Sequence, residues 1–179
     1  MKFYLMEKRK RRMNMLNTNT DQKTNIKTNQ ESDQYIIFTL NNQEFGINVL
    51  EGREIITARN LTAIPESPDF VKGIINLRNK IIPIIDLNLR FNLQSEIKRE
   101  EDKVIIISLS NTLIGLRVKE VEEIIRIQKN KISEAPDITK GVKKDYIQGI
   151  ARMEDRLLIL INIESIFKQE EIKKLQNME

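Results

Sequence analysis

The sequence predicts an all-β protein made of two similar halves, arranged as paired small barrels or as a sandwich. The segment Phe70–Phe91, FVKGIINLRNKIIPIIDLNLRF, contains the run Ile81–Ile85. Its β-branched side chains and the turn residues on either side favour a buried strand over a helix. Tyr146–Phe167 aligns with this segment without a gap, at an offset of 76 residues. A strand-rich unit that occurs twice is typical of duplicated barrels or sandwiches.

Residues 1–33 are polar and carry the whole excess of positive charge, and we expect them to form a disordered tail. They hold 8 of the 30 Lys and Arg but 4 of the 26 Asp and Glu, so the remainder is balanced at 22 against 22. Such a segment buries too little apolar surface to offset its ordering entropy. For Lys8–Arg12, contact with anionic lipid headgroups stays open beside simple solvation, which is favoured. Met6, Met13 and Met15 leave the natural start open.

The first half opens with a predicted β-hairpin. Tyr35–Leu40 and Phe45–Val49 favour strands on either side of a tight turn at Asn41–Glu44. Glu51–Thr57 fits either a further strand or a helical turn. The loop Ile64–Asp69, which contains two prolines, then leads into the central stretch.

The second half repeats this plan after a charged connector, Gln94–Asp102. Lys103–Ile125 matches Gln34–Ile56 at an offset of 69 residues, and the later offset of 76 requires the additional segment Ile138–Asp145. We expect a domain at 34–168 with one barrel repeat at about 34–93 and another at about 103–168. The sequence leaves open whether the halves exchange strands.

The C-terminal residues favour a helix. Glu164–Met178 is charged, with a thin apolar stripe of Ile166, Phe167, Ile172 and Leu175. We therefore expect a helical tail at 169–179 that docks loosely or frays.

The sequence contains no set of residues that points to catalysis. It has neither histidine nor cysteine, which removes His-based triads, thiolate nucleophiles and metal sites of either type. None of its six glycines forms a phosphate-binding motif. Glu100–Asp102 clusters carboxylates, but in a charged connector that offers no apolar wall to raise a pKa. A carboxylate-only site is therefore unsupported, and we predict a binding module without catalytic residues, metal or cofactor.

The N-terminus and the apolar runs predict a cytoplasmic protein. The apolar patch Phe3–Met6 continues directly into basic residues, which is not the pattern of a signal peptide. The longest apolar runs, such as Leu157–Ile161, are far shorter than the roughly 20 residues of a membrane-spanning helix.

Comparison of the two halves separates scaffold from candidate binding residues. The glycines at 46, 73, 115 and 149 match between the halves, so we interpret them as structural. Asn76-Leu77-Arg78 and Pro83 occur in one half only. Arg78 is interpreted as a surface arginine or as a link between two loops. Proline at position 83 predicts an edge strand or a bulge, and an edge can accept a partner strand. Asp86 aligns with Asn162, and both suit strand-ending turns.

The central stretch, with FGINVLEGREII and PESPDF before it, resembles the CheW family of chemotaxis coupling proteins over about Gln34–Phe167. The resemblance implies two SH3-like five-stranded β-barrels packed side by side around an apolar interface, with a short C-terminal helix. It also implies a non-catalytic adaptor that joins the regulatory domain of the histidine kinase CheA to chemoreceptor tips. Contact with the membrane is then indirect, through receptor arrays.

The resemblance also suggests which residues bind the kinase or the receptor. Matched to the family motifs, these are Val49, Gly52, Glu54, Gly73, Asn76, Leu77 and Arg78. Two departures stand out: Asn79 replaces the glycine of the family's NLRG motif, and Gly52 lacks an apolar side chain that is common there. Asparagine tolerates the left-handed conformation better than most residues, so the turn is expected to survive.

Two other functions are weighed against the adaptor. Tandem SH3-like barrels with a basic tail could bind nucleic acid, but the neutral body and only nine aromatic residues argue against it. A receptor-coupling domain of a larger protein is also less favoured, since the chain ends at Glu179 without room for a receiver or kinase domain. The receptor class, and which barrel contacts which partner, stay open.

Overall fold

The structure, a computed structural model, describes residues 31–93, 102–136, 142–154 and 156–178. Within these ranges the chain forms eleven strands and three short α-helices. The strands are β1 (Ser32–Leu40), β2 (Gln43–Asn48), β3 (Gly52–Thr57), β4 (Val71–Leu77), β5 (Lys80–Asp86), β6 (Lys103–Leu109), β7 (Thr112–Val118), β8 (Glu120–Gln128), β9 (Ile132–Ser133), β10 (Ile147–Met153) and β11 (Arg156–Ile161). The helices are α1 (Leu87–Arg90), α2 (Ile163–Ile166) and α3 (Gln169–Gln176).

The strands form two SH3-like barrels, which confirms the predicted fold class. Barrel 1 is the sheet β8-β1-β2-β11-β10-β9, and barrel 2 is the sheet β3-β6-β7-β5-β4. Strand β9 adds a short sixth strand to barrel 1. In barrel 2 a single bridge between Thr62 and Ile74 occupies the corresponding place.

Each barrel takes strands from both sequence repeats, which answers the question of strand exchange. The hairpin β1–β2 leaves the first repeat to pair with β8 and β11, while β3 pairs with β6 of the second repeat. When each strand is replaced by the equivalent strand of the other repeat, the order β8-β1-β2-β11-β10 becomes β3-β6-β7-β5-β4. The two repeats therefore form an exchanged pair, and neither barrel consists of a single repeat.

Three apolar clusters follow from this arrangement. Each barrel has a small interior cluster, around Tyr35 and Ile37 in barrel 1 and around Ile82 and Ile84 in barrel 2. The largest cluster contains residues from both barrels and lies between them. Its members include Ile36, Phe38, Phe45, Phe91, Ile105, Ile107, Leu116, Ile163 and Ile166. Alternate side chains of β1 and β6 thus fill a barrel interior and the shared interface.

Strand β1 begins inside the segment that composition assigned to the tail. Ser32 and Asp33 pair with Gln128 and Ile127 of β8. Their polar side chains gave no strand signal, but the neighbouring strand supplies their backbone hydrogen bonds. The predicted tail before residue 31, including Lys8–Arg12, lies outside the described residues.

Pro83 lies in an internal strand, so the prediction of an edge or a bulge at this residue is wrong. Strand β5 pairs with β4 on one side and with β7 on the other. Opposite Pro83, both backbone groups of Ile74 bond to Thr62 instead, at 2.8 and 2.9 Å. Pairing with β7 begins only at Ile84. The missing N–H of proline therefore costs the sheet no hydrogen bond.

The C-terminal segment docks firmly, contrary to the expectation of a loose or frayed helix. Ile172 and Leu175 of α3 are buried in the interface cluster. Arg90 of α1 donates hydrogen bonds to the Ile166 carbonyl and to both carboxylate oxygens of Glu171. Its guanidinium also packs over the rings of Phe70, Tyr146 and Phe167, at 4.4, 5.8 and 5.6 Å from their centroids. This long-range anchor has no local sequence signal.

Candidate functional site

The Asn76-Leu77-Arg78 motif forms the tip of the hairpin between β4 and β5 in barrel 2. Arg78 and Asn79 are its two central residues, with φ values of 52° and 63°. Two positive φ values are the signature of a type I′ turn, whose twist matches that of paired strands. The Asn76 side chain accepts a hydrogen bond from the Asn79 N–H at 3.1 Å. The turn therefore forms with asparagine in place of the family's glycine.

The Arg78 side chain extends from this turn to β3, an edge strand of the same sheet. Its Nη2 lies 3.0 Å from Oε2 of Glu54, which joins two residues that the family resemblance had selected separately. The Arg78 side chain is 79% exposed and that of Glu54 is 30% exposed. An exposed pair of this kind contributes about 0–1 kcal/mol to stability. Both charges thus lie on a surface that a partner can reach, and neither is required by the core.

Two exposed isoleucines lie on the strands near the pair. Ile55 follows Glu54 on β3 and is 42% exposed, and Ile81 lies opposite Asn76 on β5 and is 39% exposed. Successive side chains of a strand point to opposite faces, so Ile55 and Ile81 lie on the outer face of barrel 2, whereas Glu54 lies on the same face of β3 as Ile56, which packs against the barrel interior. Exposed aliphatic side chains are suited to the apolar centre of a protein interface. Sequence reasoning missed both residues. Ile81 belongs to a run that favours a buried strand, and Ile55 lies in Glu51–Thr57, which fits either a strand or a helical turn.

The tight turn from β2 to β3 carries the remaining candidates. Val49 packs against the interface cluster, and Gly52 begins β3. A Cβ on Gly52 would lie 2.7 Å from Cδ1 of Ile36, so glycine keeps the backbone close to β1. Between them, Glu51 is partly buried, and burial together with the nearby Glu164 carboxylate raises its pKa to about 7.

Gly73 occupies a different place from the other candidates, in a buried bulge near the start of β4. Its φ is +140°, and a Cβ would lie 2.2 Å from the carbonyl oxygen of Thr62. Gly149 occupies the matching bulge of β10, where a Cβ would meet Ile132 and Ser133. The geometry agrees with the structural interpretation of both glycines. A direct contact between Gly73 and a partner stays a prediction.

Barrel 1 carries a similar set of charged and apolar groups, although its arginine is not the repeat equivalent of Arg78. Arg156 donates to Glu44 at 2.8 Å and also pairs with Glu123, the equivalent of Glu54. Ile124 and Leu157 match Ile55 and Ile81, and they are 53% and 49% exposed. The offsets of 69 and 76 residues identify Glu123, Ile124 and Leu157 from the sequence. They do not identify Arg156, because the residue that matches Arg78 is Glu154.

A buried ionic cluster lies apart from these surfaces and serves the fold. Arg117 donates through Nε to Asp102 and has Nη1 3.8 Å from Oδ2 of Asp86. Asp86 also caps α1 by accepting from the N–H groups of Asn88 and Leu89, as its predicted turn role requires. Asp102 is only 2% exposed, and burial raises its pKa despite Arg117. The expectation that the connector offers no apolar wall to raise a pKa is therefore wrong for Asp102, because this residue directly precedes β6 and is buried.

The described part of the chain offers binding surfaces and no recognisable catalytic centre. No group of three or more acidic residues in it could hold a metal ion. The longest helix in the same residues has eight residues, and none is long and apolar enough to cross a membrane. Its surface chemistry is that of exposed ion pairs beside aliphatic side chains.

Comparison with known proteins gives a consistent result. The family model for the CheW-like domain matches residues 34–171. The chemotaxis protein CheW of Klebsiella aerogenes is 34% identical over 145 residues, which cover 81% of this chain and 87% of that protein. CheW of Treponema pallidum is 29% identical over 154 residues, covering 84% and 91%. The crystal structure of the scaffolding protein TtCheW from Thermoanaerobacter tengcongensis matches with a TM-score of 0.71 and 33% identity, covering 77% of this chain and 89% of that one.

Proposed function

The chain belongs to the CheW-like domain family, and we propose that it is a non-catalytic adaptor that couples chemoreceptors to the histidine kinase CheA in chemotaxis signalling. It acts in the cytoplasm and meets the membrane only through receptor arrays. The name of the Thermoanaerobacter neighbour, a scaffolding protein, supports this role. So do the relatives named as chemotaxis proteins.

The observation that carries the proposal is the exposed Arg78–Glu54 pair with its apolar neighbours. The pair lies at the hairpin tip beside β3, the edge strand of barrel 2. The two charges orient a partner that covers the mouth of the barrel, and a partner that extends over its outer face also buries Ile55 and Ile81. Reversing the charge of Arg78 therefore weakens binding without disturbing the core.

The equivalent surface on barrel 1 suits an adaptor that contacts two neighbours at once. Barrel 2 carries the Arg78–Glu54 pair, barrel 1 carries the pairs of Arg156 with Glu44 and Glu123, and each barrel exposes two aliphatic side chains. A kinase regulatory domain of similar architecture can pack against such a surface through barrel-to-barrel contacts. Each contact between two barrels is weak by itself, and many such contacts together in an array bind more tightly. The helical hairpin of a receptor tip lays its apolar face in the groove between the barrels.

The alternative of nucleic-acid binding receives no support from the aromatic residues. Among the described residues, Tyr35, Phe38, Phe45, Phe91, Tyr146 and Phe167 are buried, and Phe70 is half-buried under Arg90. Binding to single strands by stacking requires exposed aromatic faces.

A pull-down tests the proposal directly. The full chain is immobilised and offered the regulatory domain of CheA and a cytoplasmic receptor fragment at micromolar concentration. We expect retention of both by the wild type and reduced retention by Arg78→Glu. Failure of the wild-type chain to retain either partner would contradict the adaptor function.

A further inference from the structure

A cavity of about 370 Å³ lies at the end of barrel 2 remote from the Arg78 turn, where β3 ends and β4 begins. Among the described residues, its charged lining consists of Arg59, Lys72 and Arg117, without a carboxylate. Alanines and a leucine supply the rest of the wall apart from Asn60. The cavity lies outside the surfaces assigned to the adaptor function.

The three cations differ in how much of their charge is balanced by nearby carboxylates. Arg117 is 8% exposed and is held by Asp102 and, at 3.8 Å, by Asp86. Within the described residues, Arg59 and Lys72 have no carboxylate partner. In the part of the chain that the structure describes, the charges of Arg59 and Lys72 thus have no counter-charge at the cavity.

The backbone around the cavity is fixed on both sides. The Ala58 N–H donates to the Asp102 carbonyl at 2.9 Å, which ties the end of β3 to the buried ionic cluster. Thr62 exchanges two hydrogen bonds with Ile74, at 2.8 and 2.9 Å. Lys72 precedes the bulge at Gly73, whose φ of +140° sets the path of the chain there. The basic side chains therefore project from a framework that is formed before any ligand binds.

We propose that this cavity binds the phosphate group of a small phosphorylated molecule. A phosphate monoester carries about −1.5 to −2 charges at pH 7, which matches the two uncompensated cations, whereas a single carboxylate leaves one of them unpaired. Guanidinium and ammonium groups are the usual phosphate ligands in proteins.

The size and wall of the cavity define the rest of the ligand. One water takes about 30 Å³ of liquid volume, so a bare phosphate fills only a part of 370 Å³. Ala58, Leu61 and Ala63 can cover a small organic body, and the described residues that line the cavity include no aromatic ring for a base to stack on. A sugar phosphate fits these features better than a nucleotide.

Calorimetric titration of the full chain with ribose 5-phosphate tests the proposal, with inorganic phosphate at matched ionic strength beside it. The variant Arg59→Gln/Lys72→Gln removes two charges, and Lys173→Gln/Lys174→Gln on α3 is the matched control. Arg117 is left in place because its loss would strand the buried Asp102 carboxylate. We expect the sugar phosphate to bind the wild type and the control more tightly than inorganic phosphate, and the cavity variant to lose at least ~tenfold in affinity.

The titration and a vesicle experiment can each contradict the proposal. No binding at millimolar ligand, or equal binding by all three proteins, would overturn the proposal. Sedimentation with phosphatidylglycerol vesicles separates the two sources of phosphate. Retention on vesicles that disappears in the cavity variant would assign the site to a lipid headgroup and overturn the soluble ligand. Circular dichroism checks that each variant is folded.

Discussion

Arg78 and Glu54 lie 24 residues apart in the chain, and their charged groups are 3.0 Å apart across the mouth of barrel 2. The two residues come from a hairpin tip and an edge strand that are not direct neighbours in the sheet order. The barrel's curvature brings them together. A cluster of candidate binding residues is thereby assembled on one exposed surface.

Reversal of the Arg78 charge should separate binding from stability. We expect Arg78→Glu to weaken retention of the kinase domain or the receptor fragment. The thermal midpoint should stay within the few degrees that an exposed pair worth about 0–1 kcal/mol allows. Lys174→Glu, at an exposed position on α3 away from both candidate surfaces, is the control with the same change of charge. A large loss of stability in Arg78→Glu would show that the pair has a structural role instead.

Replacement of Gly73 should act through the fold. Alanine at this position brings a Cβ to 2.2 Å from the Thr62 carbonyl oxygen at a φ of +140°. We expect Gly73→Ala to lower the free energy of unfolding by about 3 kcal/mol or more, measured by urea denaturation.

Gly52→Ala is the comparison, since its Cβ meets the flexible end of Ile36. Its stability should change by about 1 kcal/mol or less. A stable Gly73→Ala protein that has lost partner binding would instead favour direct contact at this residue.

Arg90 should be required for docking of the C-terminal helix. Arg90→Met removes the hydrogen bonds to the Ile166 carbonyl and Glu171. The partly buried Glu171 carboxylate then loses its cation, while the Lys168 N–H still donates to it. We expect a loss of about 3 kcal/mol in stability. Hydrogen exchange should show faster exchange confined mainly to α2 and α3.

Lys173→Met, an exposed change on α3, should alter neither measurement. Unchanged protection of α3 in Arg90→Met would contradict the anchoring role.

Glu51 should make stability depend on pH near neutrality. Burial, and secondarily Glu164, raises its pKa from the ordinary 4.5 to about 7 in the folded state. Between these values the folded state binds more protons than the unfolded state, so stability falls as the pH rises from about 4.5 through 7.

We expect Glu51→Gln to be more stable than the wild type at pH 8 by about 1 kcal/mol, after allowance for partial exposure and screening. Glu164→Gln should give a smaller gain of the same sign. Parallel pH–stability curves for the wild type and Glu51→Gln would contradict this assignment.

The sequence by itself determined the duplication, the strand-rich class and the division between scaffold and candidate binding residues. Local side-chain chemistry suffices for these. Alternation along a strand shows which side chains are buried, and a repeat offset shows which residues are equivalent. The sequence alone shows that Gly73 matches Gly149 in the second half and that Asn76-Leu77-Arg78 has no such match.

Tertiary structure alone decided how the strands pair and which distant residues meet. Exchange of the β1–β2 hairpin, the internal place of Pro83, the burial of Asp102 and the anchor at Arg90 all depend on backbone hydrogen bonds and contacts between distant segments. The residues of a strand do not specify which strand lies beside it, because the hydrogen bonds between strands are made by the main chain, which is common to all residues. For the same reason Arg78 could be chosen from the sequence, but its distance from Glu54 could not.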